Sequence, residues 1–155
     1  MAPCPQTRFP PGSRTIEGMT LPDEIRDFLD DTHFATVATS DRDGAPRQAT
    51  IWYKLDGDDL IINSLAGRRW PNNLLRDPRV SIAVRAGDDG GRWVGLSGVA
   101  EPITDQVIAH ADIAGMARRY HAHEPETIDP MVARFESQER ISFRVQVLAI
   151  HDHLD

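Results

Sequence analysis

From residue 33 onward apolar side chains recur at every second position in short segments. That period restricts the fold of this chain more than any other feature, because a strand alternates its side chains between two faces. It is clearest at 79–85, where Val80, Ile82 and Val84 share a face, and at 141–150, where Ile141, Phe143, Val145 and Val147 alternate with polar residues. The segment 33–40 is rich in Thr, Val and Ala and ends at the turn signal Asp41-Arg42-Asp43-Gly44. The segment 46–55 sets Ala49, Ile51 and Tyr53 opposite Gln48, Thr50 and Trp52, and a second turn, Asp56-Gly57-Asp58-Asp59, leads to a strand at 60–64. A further strand at 93–102 carries Gly95 and Gly98, which mark a bulge or a close backbone approach. These six strands imply a mainly β fold, a small antiparallel barrel.

Helical periodicity surrounds this pattern. The segment 22–29 has Thr20 placed as its cap, Asp23 and Glu24 in its first turn, and an apolar stripe of Ile25, Phe28 and Leu29. A brief helix at 68–77 tolerates Pro71 near its start and is stopped by Pro78. The segment 104–120 reads as a helix with Val107, Ala111 and Ala114 on its apolar stripe, and a last helix covers 128–137.

The 155 residues suit one domain, 21–155, preceded by a Pro-punctuated flexible leader over 1–20. The single cysteine, Cys4, permits no internal disulfide, so a reducing cytoplasm is expected. No apolar run approaches the roughly 20 residues of a membrane helix. A net charge of −7 argues against general nucleic-acid binding. The pairs His121/His123 and His151/His153 fall at a helix end and at the C-terminus, and no second cluster supports a metal site. Neither Asp-Gly turn has the twelve-residue calcium pattern. Nucleophile and Walker signatures are absent.

Chemistry concentrates between residues 61 and 79. A short apolar strand ends at Asn63 and Ser64, and residues 68–79 then hold four Arg against one Asp, a local +3 within an acidic chain. Guanidinium groups beside a helix start suit a phosphate-bearing ligand, and Arg68 and Arg69 are the candidates; the alternative is a solvated cationic face. Asn63 and Ser64 either hydrogen-bond such a ligand or begin the turn. Gln48, Thr50 and Trp52 share one side of their strand, and Trp93 is core, interface or a stacking platform.

Several pieces in order resemble one family: Ala35-Thr36-Val37-Ala38-Thr39, Asp43-Gly44-Ala45-Pro46-Arg47-Gln48, Trp52-Tyr53, Gly67-Arg68-Arg69-Trp70, Asn73-Leu74-Leu75-Arg76-Asp77-Pro78-Arg79-Val80-Ser81, Arg92-Trp93 and Gly98-Val99-Ala100-Glu101. Over about 21–148 the chain is similar to the pyridoxamine-phosphate-oxidase-like split β-barrel proteins, nearest to those that use the deazaflavin coenzyme F420 rather than FMN. The resemblance implies a six-stranded split barrel, a homodimer, and cofactor sites between the two barrels. It implies that Gln48, Thr50 and Trp52, and with them Ile62, Asn63 and Ser64, lie along the cofactor ring. It places Arg68, Arg69, Trp70 and Asn73 on the phosphate side and brings Trp93 from the second subunit. Many deazaflavin-using members carry lysine where this chain has Trp70, so Arg68 or Arg69 is expected to replace that amine. The implied activity is hydride transfer between F420 and a small or medium conjugated substrate. The alternatives are an FMN-dependent oxidoreductase and a non-catalytic flavin, deazaflavin or haem binder.

Overall fold

The computed structural model describes residues 17–87 and 91–155. Most of the expected leader, Cys4 with it, and the centre of the 87–91 loop lie outside the described residues. Residues 17–20 are exposed, and the Met19 N–H bonds the Val147 carbonyl at 2.9 Å.

Seven strands form a single antiparallel sheet: β1 (Phe34–Ser40), β2 (Pro46–Ile51), β3 (Tyr53–Asp56), β4 (Asp59–Leu65), β5 (Arg79–Arg85), β6 (Trp93–Ile103) and β7 (Arg140–His153). Their spatial order is β2-β1-β5-β6-β7-β4-β3. The six-strand expectation is corrected at Trp52, which joins no ladder and divides the segment 46–55 in two. Before it, Ile51 pairs with Ala35 of β1; after it, Tyr53 pairs with Ile62 of β4. The two edges of the sheet are thus consecutive in the chain, and one residue carries the backbone between them. Burial alternates undisturbed across this junction, with Ile51 and Tyr53 both inward, so periodicity gives no sign of the change of partner. The sheet curls into a half-barrel around Val37, Tyr53, Leu60, Ile62, Val84, Val94, Phe143 and Val147.

The bulge expected in β6 lies at Ser97/Gly98. Ser97 pairs with Ala149 and Gly98 with Val147, which leaves Leu148 as the extra residue. A Cβ on Gly98 would sit 2.0 Å from the Gln146 carbonyl oxygen, so only glycine permits this approach.

Four helices flank the sheet: α1 (Asp23–Asp30), α2 (Arg69–Arg76), α3 (Gln106–Tyr120) and α4 (Ile128–Glu136). Thr20 does not cap α1; the cap position is Pro22, which gives no side-chain hydrogen bond, and Asp58 accepts from the Leu21 N–H at 3.0 Å. Of the apolar stripe expected on α3, Ala114 is buried, whereas Val107 and Ala111 are exposed and are corrected. Val107 is 80 % exposed, whereas Ala109, Asp112, Ile113, Met116, Ala117 and Tyr120 face inward. The misreading has a local cause: the inward face contains the carboxylate of Asp112, buried through an ion pair with Lys54 at 2.8 Å. This face packs with Ile61 and Phe135 into a second, smaller core outside the barrel. Asp105 caps α3 by accepting from the N–H groups of Val107 and Ile108.

Candidate functional site

A cavity of about 250 Å³ opens where the Trp52 junction, the end of β4, the start of α2 and the α4–β7 connection meet. Its aromatic wall is built from Trp52, Phe34 and Phe135. The Trp52 indole stacks on Tyr120 with centroids 5.1 Å apart and planes 11° from parallel, and meets the Phe135 edge at 6.4 Å. Phe34 stands at the rim and is 62 % exposed, an unusual cost for so large an apolar ring. Thr50, Ser64 and Asn63 contribute short polar side chains, and Trp70 closes one side with its ring 5.9 Å from Phe143.

Cations adjoin the aromatic wall: the guanidinium carbons of Arg140 and Arg134 lie 4.8 and 5.6 Å from the centroid of the Phe135 ring. Arg68, Arg134 and Arg140 all line the cavity, and among the described residues none of them forms an ion pair with a carboxylate. Arg140, 7 % exposed, donates from Nε at 3.0 Å and Nη2 at 2.7 Å to Asn63 Oδ1, and from Nη1 at 2.8 Å to Gln138 Oε1. Its main chain is clamped by Gln106, which accepts from the Arg140 N–H at 2.9 Å and donates to its carbonyl at 2.8 Å. Burial, then the positive fields of Arg68 and Arg134, lower the guanidinium to a pKa of about 10. Buried cations without counter-charges are costly, and a site that holds one is suited to an anionic ligand.

The +3 segment therefore divides by structure. Arg69 forms a two-pronged ion pair with Asp41, with bonds at 3.0 and 2.7 Å. Arg47 and Asn73 converge on the same carboxylate at 2.5 and 2.9 Å. Arg47 first, then Asn73 and Arg69, hold Asp41 well below the usual carboxylate range. Arg76 bonds the Ser40 carbonyl and Asn73, and Arg79 pairs with Asp77 at 2.6 Å. Of the four arginines, Arg68 alone faces the aromatic cavity. It follows Gly67, whose φ of +86° turns the chain out of β4.

The structure thus gathers Thr50, Trp52, Asn63, Ser64, Arg68 and Trp70 around one cavity. It places the other candidates elsewhere in the chain. Arg69 and Asn73 belong to an outer groove beside α2, where Asn73 also holds Thr39 Oγ1 at 3.1 Å. Ile62 is fully buried inside the barrel, and Gln48 is exposed on β2. Trp93 stacks on His153 at 4.4 Å and lines a second groove with Phe34, Thr36, Thr50, Ala83 and Arg85. Sequence reasoning missed Phe34, Arg134, Phe135, Gln138 and Arg140. The last four lie at the end of a helix and the start of a strand, where isolated Arg and Gln residues resemble any solvated connection. Among the described residues no group of three or more metal-ligating side chains occurs, and no helix is long and apolar enough to cross a membrane.

Comparison with known proteins agrees with this architecture. No curated protein matches the sequence. Among solved structures, an F420 reductase is 23 % identical and superposes with a TM-score of 0.70, covering 84 % of this chain and 98 % of its own. A conserved hypothetical protein of Mycobacterium tuberculosis is 26 % identical with a TM-score of 0.72, over 92 % of this chain and 89 % of its own. The haem storage protein HutZ of Vibrio cholerae is 21 % identical with a TM-score of 0.63, over 86 % and 95 % of the two chains. The sequence pattern of pyridoxamine 5'-phosphate oxidase matches residues 21–152, nearly the whole domain, and the chain belongs to that family.

Proposed function

We propose that the protein is a homodimeric oxidoreductase that binds the deazaflavin coenzyme F420 and passes hydride between it and a small or medium conjugated substrate. The observation that carries this reading is the cavity itself, in which three arginines without carboxylate partners adjoin an aromatic wall. A flavin-type cofactor has the matching polarity: a flat ring system at one end and a phosphoryl group at the other. Arg68, Arg134 and Arg140 would hold the phosphoryl group through charge-assisted hydrogen bonds. Trp52 and Phe34 would flank the ring, with Thr50 and Ser64 at its polar edge. One F420 reductase among the solved structures shares the fold, which supports the choice of cofactor without deciding it.

The cofactor when bound supplies the hydride chemistry. The protein's residues orient the ring, screen it from water and fix the charge of its anionic end. At about 250 Å³ the cavity of one protomer is at the small end for enclosing such a ligand, which favours a second subunit over its open side. The exposed Phe34 and the adjoining Trp93 groove would form part of that contact, with Gln48 on the same sheet face.

Tryptophan at position 70, where many deazaflavin-using members carry lysine, supports FMN as a second reading. Haem binding without catalysis finds less support, because among the described residues no His, Cys, Met or Tyr that would ligate iron lines the cavity. A titration of the purified protein with oxidised F420 and, in parallel, with FMN tests the reading through quenching of tryptophan emission. A deazaflavin preference of about tenfold, roughly 1.4 kcal/mol, is the expected result. A preference for FMN would transfer the assignment to that cofactor. Binding of neither would overturn both, and a reduced cofactor that no quinone or enone re-oxidises would leave binding without catalysis.

A further inference from the structure

Asn63 lies in the cavity wall, 8 % exposed, yet every hydrogen-bonding position of its side chain is filled. Its Nδ2 donates to the Ala109 carbonyl and to Ser142 Oγ, each at 2.9 Å. Its Oδ1 accepts twice from Arg140, at 3.0 and 2.7 Å. An amide has two donors and two lone pairs, so nothing remains for a ligand. Arg140 is in the opposite state. Of five guanidinium N–H groups, the bonds to Asn63 and Gln138 use three. Its hydrogen-bond partners, Asn63, Gln138 and, through the main chain, Gln106, are all neutral amides, and the Phe135 ring beneath the guanidinium, 4.8 Å from its carbon, is neutral as well. The carboxylate of this network, Asp112, is one step further away: it accepts from Ser142 Oγ at 2.7 Å and is paired with Lys54.

We infer that Asn63 is a positioning residue, which keeps the Arg140 guanidinium aimed and uncompensated for an anion in the cavity and does not itself touch the ligand. This rests on the cofactor reading above for the identity of the anion, a phosphoryl group. The neutrality of residue 63 is the functional feature. An aspartate there would preserve the oxygen against Arg140 but cancel its charge, whereas an alanine would release the guanidinium and leave the charge in place.

Asn63→Asp and Asn63→Ala are compared with the wild type, each after a cooperative thermal transition shows that it folds. Two quantities are read: the affinity ratio of FMN to riboflavin, alongside F420 and its phosphate-free counterpart, and the Arg140 Nε–Hε resonance during titration with inorganic phosphate. Asn63→Asp is expected to lower the phosphate-dependent ratio by at least about tenfold, with the phosphate-free ligand nearly unaffected. Asn63→Ala lowers it by a smaller factor. Inorganic phosphate moves the Arg140 resonance in the wild type and not in Asn63→Asp. A parallel loss of both ligands, with the ratio unchanged, overturns the inference, since direct contact with the ring gives that pattern. If Asn63→Asp does not fold, the ratio in Asn63→Ala decides. If the wild type binds none of the four ligands, the cofactor reading fails by itself. The inference then stands or falls on whether inorganic phosphate moves Arg140.

Discussion

Arg68 and Arg69 are neighbours of the same residue type, and the structure assigns them opposite roles, so their separate replacement by alanine is a sharp test. Arg69 is committed to Asp41, with its side chain 64 % exposed, and Arg47 and Asn73 still hold that carboxylate when Arg69 is gone. Arg69→Ala should therefore cause a small loss of thermal stability and leave ligand affinity within about twofold, well under the 1.4 kcal/mol of a tenfold change. Arg68 has no carboxylate partner among the described residues, and its field is one of the causes that depress the Arg140 pKa. Its removal relieves like-charge repulsion, so the free protein should be as stable as the wild type or slightly more so. A charge-assisted hydrogen bond contributes about 1.5–3 kcal/mol, so Arg68→Ala should weaken a phosphate-bearing cofactor by about ten- to a hundredfold. The phosphate-free counterpart should lose far less. Fluorescence titration and thermal unfolding of the two variants, side by side, measure all of these quantities. Equal losses of affinity in both variants would refute the assignment, as would a loss at Arg68 that is the same with and without the phosphate.

The pKa of Arg140 gives an unusual pH dependence for an arginine site. Above a pKa of about 10 the free protein binds one proton fewer, so affinity for a phosphate-bearing ligand should be flat from pH 7 to about 9 and then fall. A flat profile beyond pH 11 would show that Arg140 keeps its proton there and that its pKa is not lowered this far. At acid pH the sign reverses in origin. Asp41, Asp56, Asp58 and Asp77 are all held below the ordinary carboxylate value, chiefly by Arg47, Arg144, the Leu21 N–H and Arg79 respectively. The unfolded chain then binds more protons as pH drops, so the stability they contribute is complete above about pH 5 and lost progressively below about pH 4. Chemical denaturation across pH 2–7 checks this, and a loss that begins above pH 6 would point to other groups. Gly98→Ala should destabilise by at least about 1–3 kcal/mol, because the new Cβ would meet backbone atoms of Gln146 at 2.0 and 3.0 Å. Gly115→Ala meets nothing within 4 Å on α3 and should gain up to about 1 kcal/mol, so calorimetry of the pair isolates the close approach from the general cost of glycine.

The strands and helices were legible because each is governed by a local period and bounded by Gly, Pro or Asp turns. Val80, Ile82 and Val84, and Ile141, Phe143 and Val145, face inward as alternation requires. What local period does not record is a change of partner. The backbone passes Trp52 without losing its alternation, so the barrel's closure could not be read from the residues that make it. Nor does it record compensation. Asp112 lies on the buried face of α3 because Lys54 and Ser142, remote in sequence, satisfy it. The candidate site was half legible for the same reason. Arg68, Trp52 and Asn63 are close to motifs, whereas Arg140 reaches the cavity only because β7 pairs with β4, with Leu65 opposite Arg140.

This last pairing bears on Trp70, the position at which the resemblance to deazaflavin-using proteins leads one to expect lysine. A lysine at position 70 would add a mobile, strongly hydrated charge at the end of a flexible stem. In its place the Trp70 indole is 8 % exposed and packs toward Phe143, so it serves the barrel core as well as the cavity wall. Two of the three cations come instead from α4 and the first residue of β7, and the third, Arg68, precedes α2. Of these, Arg140 is fixed by five hydrogen bonds, three from its side chain and two from its main chain. The exchange replaces a flexible point charge by a planar fork set before any ligand arrives. It lowers the ordering cost of binding and restricts the anion to geometries the fork can meet. Trp70→Lys should therefore lose stability through the exposed core and gain little affinity, since the charge it adds enters a cavity that already holds three cations. A gain of more than about tenfold in affinity for the phosphate-bearing cofactor would show that the arginines had not taken over the lysine's role.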